Sequence, residues 1–244
     1  MKTKLLQLLM DNVKRPKDNV TNSVDGDTAS VYIYDVISAD WGVSALSVIQ
    51  SLANYANVKT LNIHINSPGG DVFEGRAIMA AISAFKGKTV ACIDSLCASA
   101  ATSIALACDE VQMADGAFFM IHNAMGVAFG DKAEMRATAD ILEKVEGAIV
   151  NDYVQKTGKD AQTVCTWMDA ETWFTAQEAL DAGFIDSVTT AQKPTNKWNL
   201  SAFANAPIPL PEPIPAPAPE PAPSNDGLNM SEANALRLRM LTIA

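Results

Sequence analysis

At 244 residues the chain is long enough for one domain of about 200 residues and too short for two of full size. Apolar residues make up 48% and charged residues 19%, a soluble globular profile that excludes a chain disordered throughout. The net charge is −10, from 28 acidic against 18 basic residues with no basic stripe, which argues against nucleic acid as a partner. The four cysteines, Cys92, Cys97, Cys108 and Cys165, form no C-x-x-C pair and have no histidine at zinc spacing, so no metal, cofactor or disulfide framework is indicated. They read as small buried hydrophobes of a reducing compartment. The N-terminus "MKTKLLQLLMDNVKRPKD" has an apolar run of about six residues, shorter than the core of a signal peptide, and no small-residue cleavage site. A cytoplasmic protein is expected. No stretch approaches the roughly 20 uncharged apolar residues of a membrane span.

Residues 1–28 are polar and irregular and are expected to form a flexible N-terminal segment. The stretch "SVYIYDVI" (30–37) has the aromatic and β-branched content of a strand. "WGVSALSVIQSLANYA" follows with Ala45, Leu46, Ile49, Leu52, Ala53 and Ala56 in a helical stripe. In "KTLNIHIN", Leu61, Ile63 and Ile65 alternate with Asn62, His64 and Asn66, the period of a strand. The chain turns at "SPGGD" and enters "VFEGRAIMAAISAF", where Phe73, Ala77, Ile78, Ala81 and Phe85 recur at helical spacing. "KTVACID" is strand-like, "ASAATSIALAC" helical, and "EVQMAD" and "AFFMIHNA" strand-like. The order β-α-β-α-β-α-β-β predicts an α/β fold with crossover units and a mostly parallel sheet.

The longest helix is predicted from Asp131 to Lys156. It sets Ala137, Ile141, Val145, Ala148, Ile149 and Val154 toward a core or a partner, with Gly158 as its stop. "TAQEALDAGF" is a shorter helix with Thr175 and Glu178 at capping-box spacing and Gly183 at its end. Past about residue 190 the globular pattern stops. Nine of the twelve prolines fall between 207 and 223, which makes 191–227 a Pro-rich linker. Its polyproline II spacer is on the order of 50 Å long when stretched. Residues 228–244 form a short tail that can be an amphipathic helix, too short to stand alone.

Four features carry chemistry. In "DSLCASAATSIALACDE" (94–110) a serine, Ser99, interrupts a run of alanines at the junction of a strand and a helix, where the Ala100 amide can serve a developing oxyanion. A serine nucleophile needs a base in reach and a group that orients the base. The chain has two histidines: His64 on the polar side of a strand, and His122 at the C-terminal edge of one, where parallel-sheet sites collect. The turn "NSPGGD" lets Gly69 and Gly70 adopt conformations closed to other residues, so its amides make a candidate oxyanion hole. The acids Asp169 and Glu171 in "WMDAETWFTAQEA" are both candidates to orient the base. Ser99 is not in a G-x-S-x-G elbow, and here the acids follow the histidine, unlike the α/β-hydrolase order. Lys86, Lys88 and Lys132 offer a serine–lysine alternative.

Together "INSPGGDVFEGRAI", "SLCASAATSIALA", "FFMIHNA" and "ETWFTAQEALDAGFID" resemble the Clp-type proteolytic subunits, and in particular the Clp-related head-maturation (prohead) proteases of tailed bacteriophages. The resemblance covers roughly residues 30–188, making 29–190 the protease domain. It implies the ClpP/crotonase-like fold of stacked β-β-α units and assigns Ser99 as nucleophile, His122 as general base, and Gly70 and Ala100 as oxyanion amides. The family's acid falls at Glu171, five residues before Ala176, where this chain departs from the usual aspartate; Asp169 is the near alternative. Polypeptide substrates are implied, namely capsid and scaffold precursors and the chain itself. So is a ring-shaped homo-oligomer in which helix 131–156 meets a facing subunit. The chain has no nucleotide-binding loop, so ATP dependence would require a separate unfoldase. A general degradative Clp subunit, an acyl-CoA enzyme on the crotonase scaffold and a silent assembly protein are the competing readings.

Overall fold

The computed structural model describes residues 21–190, Trp198, Leu200 and residues 203–207. The order opens with β1 (Thr21–Asp25), β2 (Thr28–Ile33), α1 (Ala45–Asn54), β3 (Thr60–Ser67) and α2 (Val72–Ser83). It continues with β4 (Lys88–Ala98), α3 (Ala100–Leu106), β5 (Glu110–Ala114), β6 (Phe118–Ile121) and α4 (Lys132–Thr157). It closes with α5 (Ala161–Asp169), β7 (Thr172–Thr175), α6 (Ala176–Ala182) and β8 (Ser187–Thr189).

Period-two alternation builds the centre. Ala29, Val31 and Ile33 of β2 and Leu61, Ile63 and Ile65 of β3 are completely buried, while the residues between them face outward half-exposed. The main sheet runs β1-β2-β3-β4-β5-β8, parallel from β2 onward, with β1 antiparallel at its edge. The fold is α/β with a mixed sheet. The 11-residue β4 changes partner along its length: Val90–Ile93 pair with β5, and Leu96–Ala98 pair with β6. Strand β7 then pairs antiparallel with β6.

Several expectations need correction. The hairpin β1–β2 turns at left-handed Gly26, so residues 21–25 of the expected flexible segment are strand; "DGD" is itself a turn signal. In α1, Leu46 and Ile49 are exposed and Ala45, Val48 and Leu52 are buried: two apolar rows lie side by side on this helix, and the row through Val48 is the one that packs. Phe73 and Ala77 of α2 likewise face outward while Gly75, Ile78 and Ile82 pack. Helix α4 starts in an Asp131–Glu134 capping box and stops at left-handed Gly158, yet it buries only Ile149, Val150 and Tyr153. Its N-terminal half stands clear of the core. The Thr175–Glu178 capping box and left-handed Gly183 bound α6 as expected.

The globular pattern also continues past residue 190. Trp198, Leu200 and Phe203 pack against Leu96, Ala98 and Met120 with Phe118 and Trp173, a small cluster beside the main core. Three large apolar side chains in "KWNLSAFANA" have surface to bury, and proline content hides them from a composition reading. Residues 1–20, the proline run beyond Pro207 and the 228–244 tail lie outside the described residues. Among the described residues no helix is long and apolar enough to cross a membrane.

Candidate active site

Ser99 sits in the turn from β4 into α3 with φ 54° and ψ −127°, a conformation that costs a non-glycine residue energy and persists only where its surroundings impose it. The surroundings are backbone bonds. Ser99 N donates to Met120 O at 2.9 Å, and Ser99 O accepts from Thr102 N at 2.9 Å and Thr102 Oγ1 at 2.6 Å. Because Thr102 Oγ1 donates there, it is the acceptor for Tyr153 OH at 2.6 Å. Ser99 holds the N-cap position of α3, where a serine hydroxyl ordinarily caps the helix, but it makes no such bond. Its Oγ lies 2.8 Å from Nε2 of His122. The absence of G-x-S-x-G therefore does not prevent an elbow-like, strained strand-to-helix turn.

The small residues around Ser99 are required by contact. A Cβ on left-handed Gly69 would stand 2.6 Å from Ala98 O and 2.7 Å from Ser99 Cβ, and one on Gly70 only 2.2 Å from Ile37 O. Gly75 of α2 is less tightly confined: an added Cβ would meet Ala100 O at 3.3 Å and the Ala100 methyl at 3.4 Å. Ile37 N donates to Gly69 O at 2.9 Å and Asp71 N to Ile37 O at 2.8 Å, fixing the turn. Asp71 also caps α2, accepting from Phe73 N and Glu74 N. Among the described residues the N–H groups of Gly70 and Ala100 have no protein partner. Both residues line one cavity of about 490 Å³ with Ser99, His122, Gly69 and Tyr153.

His122 follows β6, and the register sets it. Ile121 pairs with Thr172, so the next residues outward on the two strands, His122 and Glu171, emerge at the same end of the pair. Burial pulls the His122 imidazole below its ordinary pKa, and the Glu171 carboxylate opposes that shift. Yet among the described residues His122 makes no hydrogen bond or ion pair with a carboxylate. Glu171, at φ 48°, is the only other left-handed non-glycine residue described. Its Oε1 accepts from Trp173 Nε1 at 3.2 Å and Asn205 N at 2.7 Å, and its Oε2 from Ala204 N at 2.9 Å. Asp169 is occupied too, by Nδ2 of Asn123 at 2.8 Å.

The structure thus brings together Ser99, His122, Gly70 and Ala100, and leaves both acids nearby on other partners. His64 lies elsewhere: its Nδ1 meets Asp94 Oδ2 at 2.8 Å, Tyr34 OH donates to the same oxygen, and Tyr32 stacks on the ring. Lys88 pairs with Glu110, while Lys86 and Lys132 are exposed, and none of the three lines the cavity. Phe203, Tyr153 and Asn123 went unrecognised in the sequence. Phe203 meets the His122 ring edge-on at 5.7 Å and lines the cavity. An apolar cluster just before a proline run was the available signal.

The Clp protease family model matches residues 18–192. An ATP-dependent Clp protease proteolytic subunit from Leuconostoc citreum is 30% identical over 145 residues, covering 57% of this chain and 72% of that protein. The corresponding subunit 1 from Protochlamydia amoebophila is 28% identical over 166 residues, 66% of this chain and 81% of that protein. Among solved structures a ClpP1 point mutant from Listeria monocytogenes aligns with TM-score 0.60 at 22% identity, over 77% of this chain and 97% of its own, a likeness of fold. With the family model spanning most of the chain and the fold in agreement, this chain belongs to the Clp protease family.

Proposed function

We propose that the chain is a serine endopeptidase. The observation that carries this reading is the 2.8 Å contact between Ser99 Oγ and His122 Nε2, beside two unpartnered amides. With the imidazole proton on Nδ1, Nε2 accepts the hydroxyl proton as Oγ attacks the peptide carbonyl carbon. The carbonyl oxygen, now an oxyanion, takes the N–H groups of Gly70 and Ala100, each such donor contributing roughly 3 kcal/mol at the barrier. Nε2 returns the proton to the amine as the C–N bond breaks. Water, deprotonated by the same nitrogen, then attacks the acyl carbon and releases Ser99. Glu171 is the group that steadies the Nδ1 proton, with Asp169 as the alternative.

The relatives are named proteolytic subunits of ATP-dependent proteases, which supports polypeptide substrates and, for any ATP dependence, a separate unfoldase chain. Val127, Phe129 and Ile141 are 61%, 87% and 54% exposed, apolar surface that suits burial in a homo-oligomeric ring. The finer reading is a head-maturation protease acting in the host cytoplasm or procapsid on capsid and scaffold precursors, and it rests on the motif resemblance. Active-site labelling with a fluorophosphonate tests the chemistry: wild type should label, and Ser99→Ala and His122→Ala should not. An unlabelled wild type and unlabelled variants of every kind would leave an acyl-CoA enzyme or a silent assembly protein. Mass spectrometry after incubation with capsid and scaffold precursors tests the substrates, with defined fragments expected and uncut chains contradicting the finer reading.

A further inference from the structure

The stretch carrying Trp198, Leu200 and residues 203–207 does more than cover apolar surface. Trp198 Nε1 donates to Oδ1 of Asn66 at 2.7 Å, anchoring one end to the buried residue that precedes the oxyanion turn. Leu200 and Phe203 fill the cluster formed by Leu96, Ala98, Met120, Phe118 and Trp173. Phe203 stands edge-on to both His122, at 5.7 Å, and Trp173, at 5.6 Å. At the other end Ala204 N and Asn205 N each take one oxygen of Glu171, and Asn205 Nδ2 donates to Ala170 O at 2.8 Å. The carboxylate best placed by register to serve His122 is thereby bonded on both oxygens to the chain's own backbone.

We infer that Trp198, Leu200 and residues 203–207 act as this chain's own ligand for the apolar cluster of Leu96, Met120 and Trp173 beside the catalytic pair, and that their occupancy holds the centre at rest by withholding Glu171 from His122. The inference rests on the reading of Ser99, His122 and Glu171 as a triad. Displacement of the stretch removes the backbone donors from both carboxylate oxygens and leaves Oε1 only the long 3.2 Å bond from Trp173 Nε1, and rotation of the Glu171 side chain then lets one oxygen accept the Nδ1 proton. The resting state costs the enzyme rate in proportion to the fraction of molecules in which the stretch is bound.

The test is the second-order rate of Ser99 labelling by a fluorophosphonate, measured on full-length protein. Phe203→Ala/Asn205→Ala loosens the stretch, and Asn205→Pro deletes one N–H to Glu171 while keeping the aromatic ring. If the bound state dominates, the double variant should label at least about five-fold faster than wild type, with Asn205→Pro also faster. The gain should vanish when either change is made on Glu171→Gln, because it flows through that carboxylate. Rates equal to or below wild type in folded variants would overturn the inference, as would an undiminished gain on Glu171→Gln. Should the double variant fail to fold, Asn205→Pro alone decides. The triad reading fails separately, when wild type and every variant label no faster than Ser99→Ala.

Discussion

The two halves of the site are built on different principles. Ser99, His122 and the Gly69–Gly70 turn are held by backbone bonds among β4, β6 and the sheet ends, and packed so closely that a single Cβ at Gly69 does not fit. Asp169 ends α5 and Glu171 sits on the turn that follows, at the periphery, and their oxygens answer to exposed or half-exposed donors. Ser99 and His122 are thus positioned by main chain and core, the two carboxylates by side-chain bonds that can be exchanged. The cost of disturbing each half should differ accordingly.

The sharpest break is Ser99→Ala or His122→Ala. Either should lower peptidase activity by at least about a thousand-fold, measured with a peptide substrate, while thermal unfolding shows the fold intact. Gly69→Ala strikes the same half through packing: a left-handed φ of +88° and contacts of 2.6 and 2.7 Å should remove labelling and lower stability by several kcal/mol, at least the roughly 1–3 kcal/mol of backbone strain, in urea titration. Glu171→Gln tests the exchangeable half. A fall of about 10- to 100-fold is expected, smaller than the roughly 10⁴-fold seen where the acid is already bonded to the base. The sign of its pH effect is fixed as well. The negative carboxylate raises the His122 pKa, so its loss lets the imidazole stay neutral to lower pH, and the acid limb of kcat/KM should move to lower pH. Burial, the larger influence, holds the His122 imidazole below its ordinary range, so the wild-type limb is expected on the acid side of a free imidazole. Tyr153→Phe removes one donor to Thr102 and should cost about 1 kcal/mol of stability with a modest loss of rate. His64→Gln should leave labelling unchanged, and a loss there would show that the comparison has been drawn around the wrong histidine.

Legibility followed the same division. Strands β3 and β4 are local patterns of alternation and form where the patterns point, and the glycine turn and the rare residue types Ser99 and His122 are likewise local signals, the last two meeting at 2.8 Å. The α1 and α2 stripes were misjudged at Leu46, Ile49, Phe73 and Ala77 because spacing alone does not say which of two apolar rows meets a sheet. Four-residue β7 and three-residue β8 are set by pairing with β6 and β5, partners remote in sequence, and carry little period of their own. Which acid faces His122 was undecidable from the chain because it depends on that β6–β7 register and on Ala204 and Asn205, more than thirty residues further on.

The divided allegiance of β4 has one more consequence. On one side its first half pairs with β5 and its last three residues with β6, while Cys97 stays beside Ser67 of β3 on the other, so the spacing between hydroxyl and imidazole is written into the seam from Ala98–Met120 to the Ser99 N–Met120 O bond. Heating that parts this seam unhooks the reacting atoms while β2, β3 and β5 still stand, so turnover should be lost at a lower temperature than circular dichroism reports melting.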